Sequence, residues 1–247
     1  MEQLQIQRPN KHEHAPTIKK LSTECINKIA AGEVVISPSA ALKELIENSI
    51  DAGATAINIL VQGGGLQLLQ IQDDGCGINA RDFPILCERF TTSKIREFTD
   101  LRKVQSFGFR GEALASISYC SYLQVTTMTP DEDVGHTAHF QDGKLTSDVQ
   151  TVASKPGTTI SVKDLFFNSK QRKRSIGAQE EYQRICEVVS RYAIHYPLCR
   201  FTCKRVEDKK TDVTTYSIER PDKLMNPPDS DSNEEDEDPN EMMQQLN

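Results

Sequence analysis

The order of elements along the chain predicts an α+β sandwich, a mixed, mostly antiparallel sheet with helices on one face. Three observations carry that expectation. Two amphipathic helical stretches come first, between residues 22 and 51. Two β-prone runs joined by three glycines follow. Mixed strand-like and helical runs complete the series.

In "STECINKIAAGEVV", Ser22 or Thr23 suits an N-cap, and Ile26, Ile29 and Ala30 recur at helical spacing. "SPSAALKELIENSI" opens on Ser37 as N-cap with Pro38 at the first helical position. Leu42, Leu45, Ile46, Ser49 and Ile50 form one stripe, which faces the core. Glu44, Asn48 and Asp51 fall nearly opposite, at i, i+4 and i+7. "AINILVQ" and "LQLLQIQ" flank "GGG" at 63–65 and predict a hairpin, because glycine tolerates positive φ. "DDGCGI" is a turn and residues 81–89 look helical. "TTSKIREFTDLRKVQSFGFRG" is a long polar loop, after which "EALASISYC" restarts a helix. Strands are expected at 122–128, 135–141 and 158–163. "EEYQRICEVVSRYAIHY" is a helix with Tyr182, Ile185, Val188, Val189 and Tyr192 on its apolar side, stopped by Pro197. "FTCKRV" reads as a strand that opens a second domain.

A chain of 247 residues holds one sizeable domain plus part of another. With 37 % hydrophobic residues and a mean hydropathy of -0.52, it can build a core and leave some chain unpacked. No apolar run approaches the roughly 20 residues of a membrane span. The first residues lack the apolar centre of a secretory signal and read as a flexible arm over 1–19. Seven cysteines without a CxxC pair read as reduced thiols and argue against a zinc site. The net charge of -7 belongs to the end of the chain: from Lys223 onward there are eight acidic residues and one basic one. That composition predicts a disordered acidic tail over 223–247, and the remainder is neutral. The basic run "KQRKR" at 170–174 suits a solvated loop, phosphate contacts or a nuclear-targeting signal equally.

Three features occur in order. Glu44 and Asn48 share one helix face. Asp73-Asp74-Gly75-Cys76-Gly77 closes a strand, and Gly108-Phe109-Arg110-Gly111-Glu112-Ala113 runs into a helix. Each alone has an ordinary reading: a solvated helix face, a turn, a helix start. Together they describe a nucleotide site. Glycines before a helix expose backbone N–H groups and a positive dipole end to phosphate, and Arg110 adds a charged fork. The Asn48 carbonyl is a hard ligand for Mg2+ held together with phosphates. A carboxylate one turn away can orient or deprotonate an attacking water. A buried carboxylate beside glycines can accept from an adenine amino group. No GxxxxGK[ST] motif is present.

"NKIAAGEVV", "KELIENSIDAGAT", "DDGCGI", "ERFTTSK", "FGFRGEALASIS" and "PGTTISVKDLFFN", in this order, closely resemble the N-terminal ATPase region of the MutL DNA mismatch-repair family. This family belongs to the GHKL (Bergerat-type) ATPases, and the match is nearest its eukaryotic MutL homologue 1 branch. The resemblance covers roughly residues 20–205. It implies that Glu44 is the general base and that Asn48 ligates Mg2+. It implies that Asp73 binds the adenine amino group while Gly77 lets the base approach, with Thr159 supporting the adenine end. Thr92, Ser93 and Lys94 would belong to an ATP lid. Arg110, Gly111, Glu112, Ala113 and Leu114 would surround the phosphates. It further implies slow, Mg2+-dependent ATP hydrolysis as a switch, closure of two such regions on each other, and a nuclear location. The implied partners are a MutL-family subunit, a MutS-type mismatch-recognition complex and DNA.

Two departures bear on that expectation. The family usually has Asn after the adenine-binding Asp; here it is Asp74, either a charge that raises the Asp73 pKa or a side chain turned to solvent. Family members also continue through a second domain that supplies a lysine to the γ-phosphate, then a dimerisation domain. On the sequence reading, residues 206–222 only begin that second domain. The alternative reading is therefore an ATP-binding module with little hydrolysis that competes with full-length partners.

Overall fold

The computed structural model describes residues 17–95, 97, 99–100, 106–108, 110–207 and 211–215. The expected arm up to residue 16 and the acidic tail lie outside them. Among the described residues there are five α-helices: α1 (Thr23–Val34), α2 (Pro38–Asp51), α3 (Ala113–Cys120), α4 (Lys170–Ser175) and α5 (Ala178–His195). The strands are β1 (Ala56–Gln62), β2 (Leu68–Asp73), β3 (Tyr122–Met128), β4 (Gly135–Gln141), β5 (Lys144–Leu145), β6 (Gln150–Val152), β7 (Gly157–Lys163), β8 (Arg200–Arg205) and β9 (Thr211–Thr214).

The helix starts follow from their caps. Ser22 Oγ accepts from Cys25 N at 3.2 Å, and Ser37 Oγ accepts from Ala40 N at 3.2 Å with Pro38 inside the first turn. The stretch expected to be helical at 81–89 is shorter and tighter. It is a 3₁₀ segment, Ala80–Ile85, with Pro84 inside it. Proline lacks the N–H that would continue an α-helix there.

The strands form one sheet in the order β5-β4-β3-β7-β2-β1-β8-β9, with β6 also on β4. Among the described strands only β1 and β8 pair in parallel. Register aligns Val61, Leu69, Val162, Leu123 and Phe140 across the sheet on one face, and Ile59, Ile71, Ile160, Val125 and Ala138 in the next row. These side chains are buried in one core with Leu42, Leu45 and Ile46 of α2, Ile117 of α3, and Tyr182, Ile185 and Val189 of α5. Period-2 alternation sends Asn58, Gln72, Thr159, Thr126 and Thr137 to the other face. Polar side chains hydrogen-bond along that face, as where Thr126 and Thr137 hydroxyls meet at 2.8 Å.

One expectation is corrected here. "FTCKRV" does not open a separate unit: β8 lies beside β1, Phe201 and Cys203 are buried in the common core, and β9 adds a further strand beyond residue 205. A strand's own sequence does not name its partner, and the partner of β8 lies about 140 residues earlier.

The basic run at 170–174 is also more than a solvated segment. It forms α4, and Arg172 Nη1 donates to the Gly32 and Val35 carbonyls at 3.0 and 3.2 Å. A guanidinium at the end of α1 satisfies carbonyls that the helix leaves unpaired and complements its dipole. Arg172 also lies over the Phe166 ring, 5.3 Å from its centroid.

At the start of α2, Glu181 of α5, 1 % exposed, accepts the Ser39 N–H at 2.8 Å. A carboxylate at a helix N-terminus is favourable, and this contact ties α2 to α5. With the aliphatic stripe of α2 fixed against the sheet, the face carrying Glu44, Asn48 and Asp51 is aimed away from the core.

Candidate functional site

A cavity of about 780 Å³ opens between α2, the end of β2, the start of α3 and the segment around residues 91–94. Glu44, Asn48, Asp73, Gly77, Thr92, Ser93, Lys94, Arg110, Gly111, Glu112, Ala113 and Leu114 all line it. Thr159 does not. It lies on β7 opposite Gln72 and Thr126, on the polar outer face of the sheet. Its neighbour Thr158 pairs with Asp73, is buried, and lines the cavity instead.

Asp73 sits at the inner end of β2 and is 9 % exposed. Its Oδ1 accepts from Gly75 N at 3.0 Å and Thr158 N at 3.3 Å, and its Oδ2 accepts from the Ser49 hydroxyl at 2.8 Å. Burial raises its pKa, and the three hydrogen bonds oppose that rise. The Asp74 charge is the last of the raising influences. Ser49 is a residue that sequence reasoning assigned to the core stripe; it is buried as expected, but its hydroxyl serves the site.

Asp74 faces neither Asp73 nor the cavity. Its Oδ1 accepts from Thr55 N at 2.7 Å and Ala56 N at 2.8 Å, and its Oδ2 accepts from Thr55 Oγ1 at 2.6 Å. The carboxylate thus stitches the entry of β1 to the end of β2. Despite partial burial, these bonds hold its pKa below the ordinary aspartate value. A group with a depressed folded pKa stabilises the fold above the unfolded pKa. That contribution is lost as pH falls through the folded one. Asp74→Asn replaces an acceptor with an amide donor and is expected to cost about 1 kcal/mol of stability, read as a shift in urea midpoint. Ligand affinity in the cavity should stay within about twofold, since the side chain points away from it. A large affinity loss with unchanged stability would place Asp74 in the site.

Gly77 follows with φ +73°, and a Cβ there would lie 2.3 Å from the Met128 carbonyl oxygen. The glycine is required by its backbone conformation and by close packing against the end of β3, besides bordering the cavity.

On α2, Glu47 is buried and committed: both its oxygens lie 2.8 Å from Lys43 Nζ, and Tyr192 Oη donates to Oε1 at 2.6 Å. Glu44 is a third exposed and has only a 3.5 Å contact with Lys43. Of Glu44 and Glu47, Glu44 is the one open to an incoming molecule. Asn48 Oδ1 accepts from Lys94 Nζ at 3.1 Å. A cationic group therefore rests on the oxygen that the resemblance assigns to Mg2+.

At the opposite wall, Ala113, Leu114 and Ala115 bring the first turn of α3 to the cavity. First-turn amides have no partner inside their own helix, and they suit an anion. Glu112 is ion-paired with Arg89, which also donates to Asn27 Oδ1 at 3.3 Å. The Gly111 carbonyl accepts from Phe90 N at 3.0 Å, binding the start of α3 to the segment that precedes the lid residues. Among the described residues no cluster of His, Cys, Asp and Glu forms a metal site made of protein ligands alone.

The sequence reading places Asp51 on the Glu44 and Asn48 face but gives it no role. In the structure its Oδ1 accepts from Phe107 N at 3.1 Å, its Oδ2 from Gly108 N at 3.1 Å, and Lys94 Nζ lies 2.5 Å from Oδ2. The signal in the sequence was its place on the Glu44 and Asn48 face, seven residues after Glu44.

Residues 36–177 match the family described as histidine kinase-, DNA gyrase B- and HSP90-like ATPase. The chain is similar to DNA mismatch repair protein MLH1 of Saccharomyces cerevisiae, 52 % identical over 206 residues, which are 82 % of this chain and 27 % of that one. It is 46 % identical over 213 residues to DNA mismatch repair protein Mlh1 of Dictyostelium discoideum, covering 83 % of this chain and 24 % of the relative. It thus spans about a quarter of the length of these relatives. Among solved structures, the N-terminal domain of a DNA repair protein superposes with a TM-score of 0.69 at 30 % identity, covering 83 % of this chain and 60 % of the other. The Aquifex aeolicus MutL ATPase domain complexed with ADP gives 0.59 at 25 % identity, covering 77 % of this chain and 68 % of that one.

Proposed function

The chain belongs to the histidine kinase-, DNA gyrase B- and HSP90-like ATPase family, in its MutL group, and from that premise we propose that it binds and slowly hydrolyses ATP. The observation that carries the proposal is a single cavity joining Asp73, the Glu44 and Asn48 face, and the first turn of α3. On this reading Asp73 is the adenine acceptor, Glu44 and Asn48 are the base and the metal ligand, and the first turn of α3 is the phosphate cradle; that all of them line one cavity supports it.

Asp73 Oδ2 keeps a lone pair beyond its bond from Ser49, and that lone pair accepts from the adenine amino group. Guanine offers a carbonyl at the same position, so two acceptors would meet. Ile78 and Ile160 give this end apolar walls. The first-turn amides of α3 and Arg110 hold the phosphates, and Thr92, Ser93 and Lys94 close over them. Asn48 Oδ1 would hold Mg2+, which would supply neutralisation of phosphate charge. Glu44 orients the attacking water and takes its proton.

The wider role rests on the relatives and not on this cavity. The named relatives are mismatch-repair proteins, and this chain is proposed to act as the ATP-driven switch of such a protein. Its partners are then a MutL-family subunit with which it closes, a MutS-type complex and DNA, with the nucleus as the compartment. Among the described residues no helix is long and apolar enough to cross a membrane.

The test is titration of a fluorescent ATP analogue into the chain with Mg2+. Saturable binding is expected, with ATP competing about a hundredfold better than GTP, because the wrong base leaves buried polar groups unpaired. Absence of saturable binding sinks the reading.

A further inference from the structure

We propose that Asp51 is a positioning residue for the phosphate end of the site, and that it parks the Lys94 ammonium on Asn48. Lys94 must then leave Asn48 before that oxygen can hold a divalent cation. This rests on the ATP reading above and adds a competition that the reading does not contain.

The geometry is a knot on the last turn of α2. Asp51, with 6 % of its side chain exposed, gathers three donors from two distant points of one chain segment. Lys94 comes from its beginning, at 2.5 Å from Oδ2. The Phe107 and Gly108 amides come from its end, each at 3.1 Å. Phe107 is further held edge-on by the Tyr192 and Tyr196 rings, at centroid distances of 6.4 and 6.2 Å. Tyr192 in turn donates to Glu47 on the preceding turn of α2. Lys94 on one side and Phe107 with Gly108 on the other are therefore seated on the helix that carries Glu44 and Asn48.

Lys94 completes the knot by reaching past Asp51 to Asn48 Oδ1 at 3.1 Å. Gly108 makes room for this. A Cβ there would stand 2.7 Å from Asn48 Oδ1 and 3.0 Å from Lys94 Nζ. An ammonium and a hard divalent ion both seek the same carbonyl oxygen, and they repel each other when close. Asn48 cannot serve both, so the lid residue and the metal are linked in opposition. Once off Asn48, Lys94 remains tethered by Asp51 within reach of the phosphates.

Two measurements on the full chain test this. In the first, binding of the fluorescent ATP analogue is followed by anisotropy across a Mg2+ series. Lys94→Met should lower the Mg2+ midpoint about fivefold, the size of one modest, partly exposed ion contact, whereas Lys94→Arg, which keeps the charge, should stay near the wild type. An unmoved or raised midpoint in Lys94→Met overturns the competition. A wild type that binds no analogue at any Mg2+ concentration overturns the ATP reading instead. In the second, no nucleotide is present and hydrogen exchange is read at the Phe107 and Gly108 amides. Asp51→Ala should speed it about tenfold, with distant amides of the β7 core unchanged. Unchanged rates at those two amides overturn the positioning role of Asp51.

Discussion

Replacing Glu44 with glutamine is expected to lower ATP turnover about a thousandfold while nucleotide affinity stays within about threefold. The size follows from losing general-base help, and the split from where Glu44 stands. It borders the cavity without taking part in the hydrogen bonds that hold Asp73 or the start of α3. The competing base on this wall is Glu47. Its two oxygens are occupied by Lys43 and Tyr192, so a glutamine there can still accept from the tyrosine. Glu47→Gln should therefore keep at least about a third of the turnover. The informative measurement is single-turnover hydrolysis of labelled ATP in both variants under saturating enzyme, which removes binding from the comparison. Equal rates in wild type and Glu44→Gln would end the assignment of Glu44. Loss in Glu47→Gln alone would move the base by one helical turn.

How this wall was legible in sequence is physically plain. Ser37 and Pro38 fix where α2 starts, and the aliphatic stripe fixes which side is buried, so the side left over is determined. Glu44, Asn48 and Asp51 follow from those two facts. What the residues could not show was the work of Asp51, because its partners Phe107 and Gly108 are 56 and 57 positions away and arrive through a loop without periodicity. Thr158 and Thr159 illustrate a finer limit. Strand alternation puts one inside and one outside, but which is which depends on the pairing of β7 with β2, where Asp73 lies opposite Thr158. A one-residue difference in register reverses the answer. Asp74 is similar: its identity was visible as a departure, but its direction was set by Thr55 and Ala56 across the β1 entry. The place of β8 beside β1 was not legible for the same reason, since parallel pairing to β1 is a long-range choice that neither run encodes alone.

The second large effect concerns Asp73. Asp73→Asn is isosteric, and the amide oxygen must take the Oδ1 position because two backbone N–H groups donate there. The amide nitrogen then falls at Oδ2, where the Ser49 hydroxyl can turn to accept from it. The fold is preserved, but the acceptor facing the adenine amine becomes a donor. Nucleotide affinity is expected to fall at least about a hundredfold, with the thermal midpoint shifted by only a few degrees. Protonation of the wild-type carboxylate does the same thing reversibly, because the proton has room only on Oδ2. Burial raises the Asp73 pKa, so affinity should begin to fall with acidification above the ordinary carboxylate range. Linkage gives fold stability the opposite sign. A carboxyl with a raised folded pKa binds its proton more tightly when folded; its contribution is full below the unfolded pKa and is lost as pH rises through the folded one. Acid that weakens ATP binding through Asp73 therefore does not act by unfolding the chain through the same group. Isothermal titration of ATP between pH 7.5 and about pH 5, with circular dichroism on the same samples, separates the two. Both proteins share the slope that comes from protonation of the ligand's own terminal phosphate, and wild-type affinity should drop more steeply with falling pH than the residual affinity of Asp73→Asn. An equal slope in both proteins would show that the titrating group is not Asp73 and that the adenine end is recognised by something other than this carboxylate.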